Sequence, residues 1–173
     1  MSATAKAARV ALMGFDVDGV LTDGALYYSG RGDEMKAFNV RDGHGIRMLA
    51  DAGVQIAIIT GRESDIVTQR AKNLGISLVL QGIDDKRAAM ETLLARLGLG
   101  FEQTGYMGDD VVDLPLLRAC GFSATVADGH PLLLDRVDHV SPLQGGHGAV
   151  REVCEYLLAA QNKLDAALNR YLA

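Results

Sequence analysis

Two cysteines in 173 residues, each among apolar neighbours and without metal-ligand spacing, exclude a disulfide framework and a cysteine-built zinc site. Cys120 and Cys154 are expected as buried, reduced thiols. No stretch gathers lysine and arginine into a stripe, and 17 basic against 22 acidic residues leave a net charge of -5. The electrostatic footprint of a nucleic-acid partner is therefore missing. Long apolar runs are missing as well: Val10–Phe15, preceded by Lys6 and Arg9, extends only six residues before Asp16. That is too short for a signal peptide or a membrane span, so a cytoplasmic protein with no membrane partner is expected. No linker rich in Pro, Gly or Ser, internal repeat or low-complexity block divides the chain, which predicts a single domain over residues 1–173. The 49% of apolar and 23% of charged residues suffice for one full-sized core.

Apolar β-branched runs alternate with segments of helical period. Val10–Phe15 and Val54–Thr60 read as strands buried on both faces, and Thr104–Met107 and Phe122–Val126 as shorter ones. Asp65–Leu74 brings Val67, Ala71 and Leu74 to one face before Gly75. Lys86–Leu97 does the same for Ala89, Met90, Leu93, Leu94 and Leu97 before Gly98. This alternation predicts a doubly wound α/β fold on a parallel sheet, with ligands at the carboxyl ends of its strands. Gly19–Phe38 breaks the pattern: Ala25–Tyr28 and Met35–Phe38 flank Ser29-Gly30-Arg31-Gly32-Asp33 as the arms of a β-hairpin flap, too short for a cap domain. A last helix from about Ala149 carries Val150, Val153, Cys154, Leu157, Leu158, Leu164 and Leu168 at helical spacing, and its first turns should pack on the sheet.

Residue types that bind metals and phosphates collect where the strands should end. Asp16 and Asp18 stand two residues apart directly after the first strand. Carboxylates beside an apolar core need compensation, for which a divalent cation is the usual agent. Gly19 in fourth place and Val20 in fifth exclude an EF-hand loop, whereas a plain turn of solvated acids stays open for this motif taken alone. Thr60-Gly61-Arg62 closes the second long strand with a hydroxyl, a flexible glycine and a guanidinium suited to phosphate oxygens. Lys86 opens a helix, where the dipole disfavours a cation; it is either a solvated surface lysine or meets an anion. Gly108-Asp109-Asp110-Val111-Val112-Asp113 adds three acids after a short strand, and Asp113 would also suit a helix N-cap.

Asp-x-Asp, Thr, Lys and Gly-Asp-Asp-x-x-Asp, in this order at four successive strand ends, resemble the four motifs of the haloacid dehalogenase superfamily of aspartyl-phosphate hydrolases. Within it, Asp16-Val-Asp-Gly-Val-Leu-Thr-Asp, Lys36-Ala-Phe-Asn-Val-Arg-Asp-Gly, Gly108-Asp-Asp, Ala127-Asp-Gly-His-Pro-Leu-Leu and Gly145-Gly-His-Gly-Ala-Val-Arg-Glu-Val-Cys are similar to the family of 3-deoxy-D-manno-octulosonate 8-phosphate phosphatases. The likeness runs from about Val10 to Lys163. It implies a capless Rossmann-like fold, a small phosphorylated sugar acid as substrate, Mg2+ as cofactor and a place in lipopolysaccharide precursor synthesis. By the same resemblance Asp16 is the nucleophile, Asp18 the general acid and base, and Thr60 and Lys86 the phosphoryl-binding residues. The metal falls to the Asp16 and Asp109 carboxylates and the Asp18 carbonyl, with Asp110 and Asp113 orienting the groups around it. In the resembled family the residues at Asn39, Val40, Arg41, Asp42, Gly43, Arg47, Arg62 and Arg70 face the sugar acid or its phosphate, while Arg70 read from its spacing alone could equally be the solvated face of a helix. The family also implies a homotetramer built around the hairpins, with the segment 161–173 as a mobile tail reaching toward a neighbouring site. His147 stands where the family commonly has an arginine.

A response-regulator receiver would place its acceptor Asp after the third strand, whereas Asp16 ends the first. A dinucleotide site fails because Gly43-x-Gly45 and Gly146-x-Gly148 lack the third glycine and the preceding strand. Two alternatives stay open: a phosphatase for nine-carbon sialic-type acids, and a non-catalytic assembly module of the same fold. Arg62 and Asn73 depart from the Glu and Lys of the nine-carbon enzymes and favour the eight-carbon acid. The filled catalytic positions speak against the assembly module.

Overall fold

Alternate residues of the first buried run enter opposite apolar layers, which puts that strand in the interior of the sheet. The computed structural model describes residues 1–172. It begins with a short helix α1 (Ala3–Ala7), strand β1 (Leu12–Phe15) and a hairpin of β2 (Tyr27–Tyr28) and β3 (Glu34–Met35). Then come α2 (Val40–Asp51), β4 (Gln55–Ile59), α3 (Asp65–Leu74), β5 (Leu78–Leu80) and α4 (Lys86–Leu97). The second half runs β6 (Thr104–Met107), α5 (Leu114–Leu117), β7 (Phe122–Thr125), α6 (Pro131–Leu134), β8 (His139–Val140), α7 (Ala149–Ala160) and α8 (Leu164–Asn169).

Six strands form one sheet in the order β5-β4-β1-β6-β7-β8, and every pairing in it is parallel. The chain moves outward from β1 through β4 and β5, then returns to the other side of β1 with β6. A crevice therefore opens at the carboxyl end of β1, the switch point where doubly wound sheets bind ligands. Met13, Phe15, Ile56 and Ile58 pack with residues of α2, α3 and α7, among them Leu49, Val67 and Leu157. Leu12, Ala57, Ile59 and Tyr106 pack on the opposite face with Met90 and Leu93 of α4 and Leu116 of α5. Both cysteines are buried and free. Among the described residues no helix is long and apolar enough to cross a membrane.

Two expectations need correction. The returning arm of the hairpin is Glu34–Met35, not Met35–Phe38: Tyr28 pairs with Glu34 and Tyr27 with Met35. Lys36 leaves the ribbon because its ammonium turns inward to Asp18. The C-terminal helix is two helices. Asn162 takes a left-handed conformation at φ 55°, and Lys163 donates to the Ala52 carbonyl at 2.8 Å, which breaks the helix between α7 and α8. Leu164, Ala167 and Leu168 of α8 pack against the core; Ala173, at the end of the segment read as a tail, lies outside the described residues.

Candidate active site

The β1 ladder continues one residue past the strand, with the Asp16 N–H donating to the Met107 carbonyl at 3.0 Å. The Val17 carbonyl then accepts from the N–H groups of Val20, Leu21 and Thr22, a tight turn that folds Gly19 over the end of β6. Gly19 has φ 89°, and a Cβ there would lie 2.1 Å from Asp109 Oδ2. Only glycine lets the two acidic loops approach this closely.

Lys86 enters the site from the first turn of α4. The cost of a cation at that helix start is offset by Asp85, whose side chain accepts from the Ala88 N–H at 3.0 Å and supplies the favourable charge at the N-cap. The buried Lys86 ammonium donates to Asp16 Oδ2 at 2.7 Å and to Asp113 Oδ1 at 2.6 Å. Asp113, fully buried, also accepts the Tyr106 hydroxyl at 3.1 Å and the N–H groups of Asp109 and Asp110 at 3.0 and 3.2 Å. Asp113 thus fixes the backbone that presents Asp109. Asp110 caps its own loop by accepting from the Val111 N–H at 2.7 Å.

Asp16, Asp109 and Asp113 can place carboxylate oxygens within 4.8 Å of one another, against the single ammonium of Lys86. The imbalance shows in their acidities. Burial, then the Asp113 charge, pushes the Asp16 carboxyl up to about 6 despite Lys86. Burial, then the charges of Asp16 and Asp113, pushes Asp109 up to about 7. Burial alone would favour the neutral amine of Lys86, but Asp16 and Asp113 outweigh it and hold the pKa above the ordinary lysine value. An excess of negative charge on hard oxygen donors is what a magnesium-type cation requires, so these residues fit such an ion.

A pH dependence follows for the metal-free protein. In the unfolded chain Asp16 and Asp109 ionise near 3.8, whereas in the fold they hold their protons to about 6 and 7. The stability this contributes is complete below the lower value and is lost as pH rises through the folded values, of the order of 3 kcal/mol for each group taken alone. Scanning calorimetry without metal should show Tm falling by about 5–10 °C between pH 5 and pH 8. Added Mg2+ should raise Tm much more at pH 8 than at pH 5; an equal rise at both would contradict the charge imbalance.

Asp18 faces away from this cluster. Its carboxylate contacts Lys36 and lies 3.7 Å from Arg62 Nε. Arg62 in turn donates to Glu34 at 2.6 Å and to the Tyr28 hydroxyl at 3.0 Å. A cleft of about 310 Å³ lies over these groups and is lined by Asp16, Asp18, Thr60, Arg62, Lys86 and Asp109. Sequence reasoning left Lys36, Glu34, Tyr28 and Tyr106 out of the site. Lys36 opens one of the motif blocks quoted above, the only signal that could have pointed to it.

Residues 76–153 match the haloacid dehalogenase-like hydrolase family. The 3-deoxy-D-manno-octulosonate 8-phosphate phosphatase KdsC of Escherichia coli strain K12 is 49% identical over 163 residues, 94% of this chain and 87% of the relative. The crystal structure of a Moraxella catarrhalis 3-deoxy-D-manno-octulosonate 8-phosphate phosphatase, in complex with magnesium ion, phosphate ion and KDO, superposes with a TM-score of 0.96 at 44% identity, covering 98% of this chain and 97% of the other. The cobalt-bound Haemophilus influenzae phosphatase YrbI gives a TM-score of 0.89 at 45% identity, with 93% and 94% covered. The chain belongs to the 3-deoxy-D-manno-octulosonate 8-phosphate phosphatase family.

For a capless phosphatase of this family, one chain assembles only part of the expected substrate site. Asp42 points away from the cleft: it is buried and accepts from the N–H groups of Gly148 and Arg151 at 3.3 and 2.8 Å, capping α7. Asn39 caps α2 by accepting from the Arg41 N–H at 2.8 Å and also donates to the Gly146 carbonyl at 3.2 Å. Arg47 donates to the Asn73 carbonyl. Arg70 lies over the Phe38 ring, 5.5 Å from its centroid, and donates to the Asn39 carbonyl at 3.1 Å. Val40 and Arg41 are exposed, and Gly43 leaves room for Arg70, whose Nη2 would sit 2.3 Å from a Cβ there. Of the eight residues expected to face the sugar acid, only Arg62 lines the cleft.

Proposed function

We propose that the protein hydrolyses 3-deoxy-D-manno-octulosonate 8-phosphate to the free eight-carbon sugar acid and phosphate through an aspartyl-phosphate on Asp16. The observation that carries this reading is the Lys86 ammonium bridging Asp16 and Asp113 at the end of β1, in a chain of this phosphatase family. Asp16 and Asp109, with the Asp18 carbonyl, would hold Mg2+, which when bound supplies positive charge against the phosphoryl group and the acidic cluster. Lys86 and the Thr60 hydroxyl face the phosphoryl oxygens and stabilise the charge that shifts between attacking and leaving atoms. Asp18 protonates the leaving sugar oxygen and afterwards takes a proton from the attacking water. Arg62 can grip the substrate's planar carboxylate with its fork once it exchanges Glu34 for that anion.

The test is a phosphate-release screen with Mg2+ over the eight-carbon 8-phosphate, a nine-carbon sialic-type 9-phosphate and ordinary hexose phosphates. The eight-carbon acid should give the highest kcat/KM. Preference for the nine-carbon acid would replace the substrate, and no turnover of any would favour the assembly module.

We propose further that assembly completes the substrate site. The hairpin exposes Leu26, Tyr27, Tyr28 and Met35, although an isolated two-stranded ribbon is only marginally stable in water. Pairing of hairpins in a homotetramer would cover these side chains and bring a neighbouring chain to each cleft, with α8 or the residues after it as a closing element. Replacing Tyr27 and Tyr28 together by Glu should convert the tetramer to smaller species in light scattering and relax selectivity among sugar phosphates. A parent protein that is monomeric and fully selective would rule this out. The fold and substrate class suit a cytoplasmic enzyme of lipopolysaccharide precursor synthesis, without nucleic-acid or membrane partners.

A further inference from the structure

We infer that Lys36 is a positioning residue for Asp18, so that the hairpin sets the direction from which the proton is delivered. This rests on the phosphatase reading above. Asp18 belongs to the same turn as Asp16, yet its carboxylate stands in a separate ring of four charges. Lys36 Nζ contacts Asp18 Oδ1 and lies 3.5 Å from Glu34 Oε1. Arg62 closes the ring, with Nη2 2.6 Å from Glu34 Oε1 and Nε 3.7 Å from Asp18 Oδ2. Two acids alternate with two bases, so the ring compensates its own charge and draws nothing from Lys86.

The two cations of the ring differ in how firmly they can hold Asp18. The Arg62 side chain is 42% exposed, whereas that of Lys36 is 2% exposed. An exposed pair is screened by water and exchanges partners at little cost. A buried ammonium has no water to turn to, so moving the Asp18 carboxylate away would leave it only the longer contact with Glu34. Lys36 therefore fixes Asp18 in one orientation, outside the Asp16–Asp109–Asp113 cluster and along the cleft wall that holds Arg62.

The chemistry calls for that separation. In the first step the Asp16 oxygen bonds to phosphorus while the bond from phosphorus to the sugar oxygen breaks, and the Asp18 proton passes to that leaving oxygen. In the second, Asp18 takes a proton from water as the water oxygen bonds to phosphorus and the Asp16 oxygen departs, releasing phosphate. Lys36 transfers nothing in either step. It acts only by keeping the Asp18 carboxyl on the side where the leaving oxygen emerges.

The experiment compares leaving groups. An alkyl phosphate such as 3-deoxy-D-manno-octulosonate 8-phosphate needs the proton as its bond breaks, while p-nitrophenyl phosphate departs as a stable phenolate. Single-turnover release of the leaving group, the sugar acid or p-nitrophenolate, at saturating substrate with Mg2+ present should show Lys36→Met losing about 100-fold more rate on the alkyl than on the aryl substrate. Lys36→Arg, which keeps a donor for Asp18, should hold the alkyl-to-aryl ratio within about threefold of the parent. Equal losses on both substrates for Lys36→Met would make Lys36 an anchor of the hairpin only. A raised half-saturating concentration with an unchanged rate ratio would make it a substrate contact, and either result overturns the inference. A parent protein that turns over the aryl but not the sugar substrate overturns the functional reading first, and is told apart because no variant is needed to see it.

Discussion

Asp16→Asn should lose at least about four orders of magnitude in kcat while keeping its fold. The amide has the shape of the carboxylate, so the turn around the Val17 carbonyl and the packing of Phe15 are undisturbed. It nevertheless neither attacks phosphorus nor carries charge. The substitution also removes one of the two carboxylates that share Lys86, and burial already pushes this group up to about 6. Thermal stability of the metal-free variant at pH 8 should therefore equal or exceed that of the parent. A folded variant with appreciable turnover would remove Asp16 from the centre of the chemistry, and one that unfolds would contradict the charge imbalance.

Lys86→Ala should fail in two ways at once. Activity should drop by about three orders of magnitude, because the phosphoryl group loses the cation that faces it. Stability at pH 8 should fall by about 3–5 kcal/mol, since Asp113 is fully buried and would be left facing Asp16 without an ammonium between them. Excess Mg2+ should not restore turnover. Asp109→Ala offers the contrast: oxygen ligands remain on Asp16 and on the backbone, so excess Mg2+ should recover part of its activity. Identical responses of the two variants to metal would mean that Lys86 and Asp109 do not have separate tasks.

The parts of this architecture that were legible in the sequence are those written in a local period. α3 and α4 begin and end at the residues the spacing indicated, Asp65–Leu74 and Lys86–Leu97, each closed by a glycine in the left-handed conformation. Thr104–Met107 likewise spans the strand as read. α2 was not legible as a helix because Gly43 and Gly45 lower its propensity. The reason for Gly45 is tertiary: a Cβ there would lie 2.9 Å from Arg151 Cδ, so the glycine serves the approach of α2 to α7. β8 is two residues long and too short to carry a period.

The candidate site was legible to the same extent and for the same reason. Asp16, Thr60, Lys86 and Asp109 follow apolar strands or open a periodic helix, and the structure brings all four to one cleft. The place of Asp42 was not legible because a carboxylate in a motif block looks the same in sequence whether it faces a ligand or caps a helix, as Asp42 does for α7 in this chain. Lys36 was missed because its partner Asp18 lies 18 residues away, across a hairpin whose register the sequence does not specify. Tyr106 reads as an ordinary core residue of β6; its hydroxyl on Asp113 becomes visible only when β6 and the turn before α5 are placed together.

The covalent intermediate is the point on which the account depends most. Mixing the protein with 3-deoxy-D-manno-octulosonate 8-phosphate and Mg2+, quenching in acid within one turnover and mapping the peptides by mass spectrometry would test it directly. The expected result is a phosphoryl adduct confined to the peptide that contains Asp16 and absent from Asp16→Asn. Release of phosphate with no adduct at any quench time, or an adduct on a different residue, would contradict the assignment.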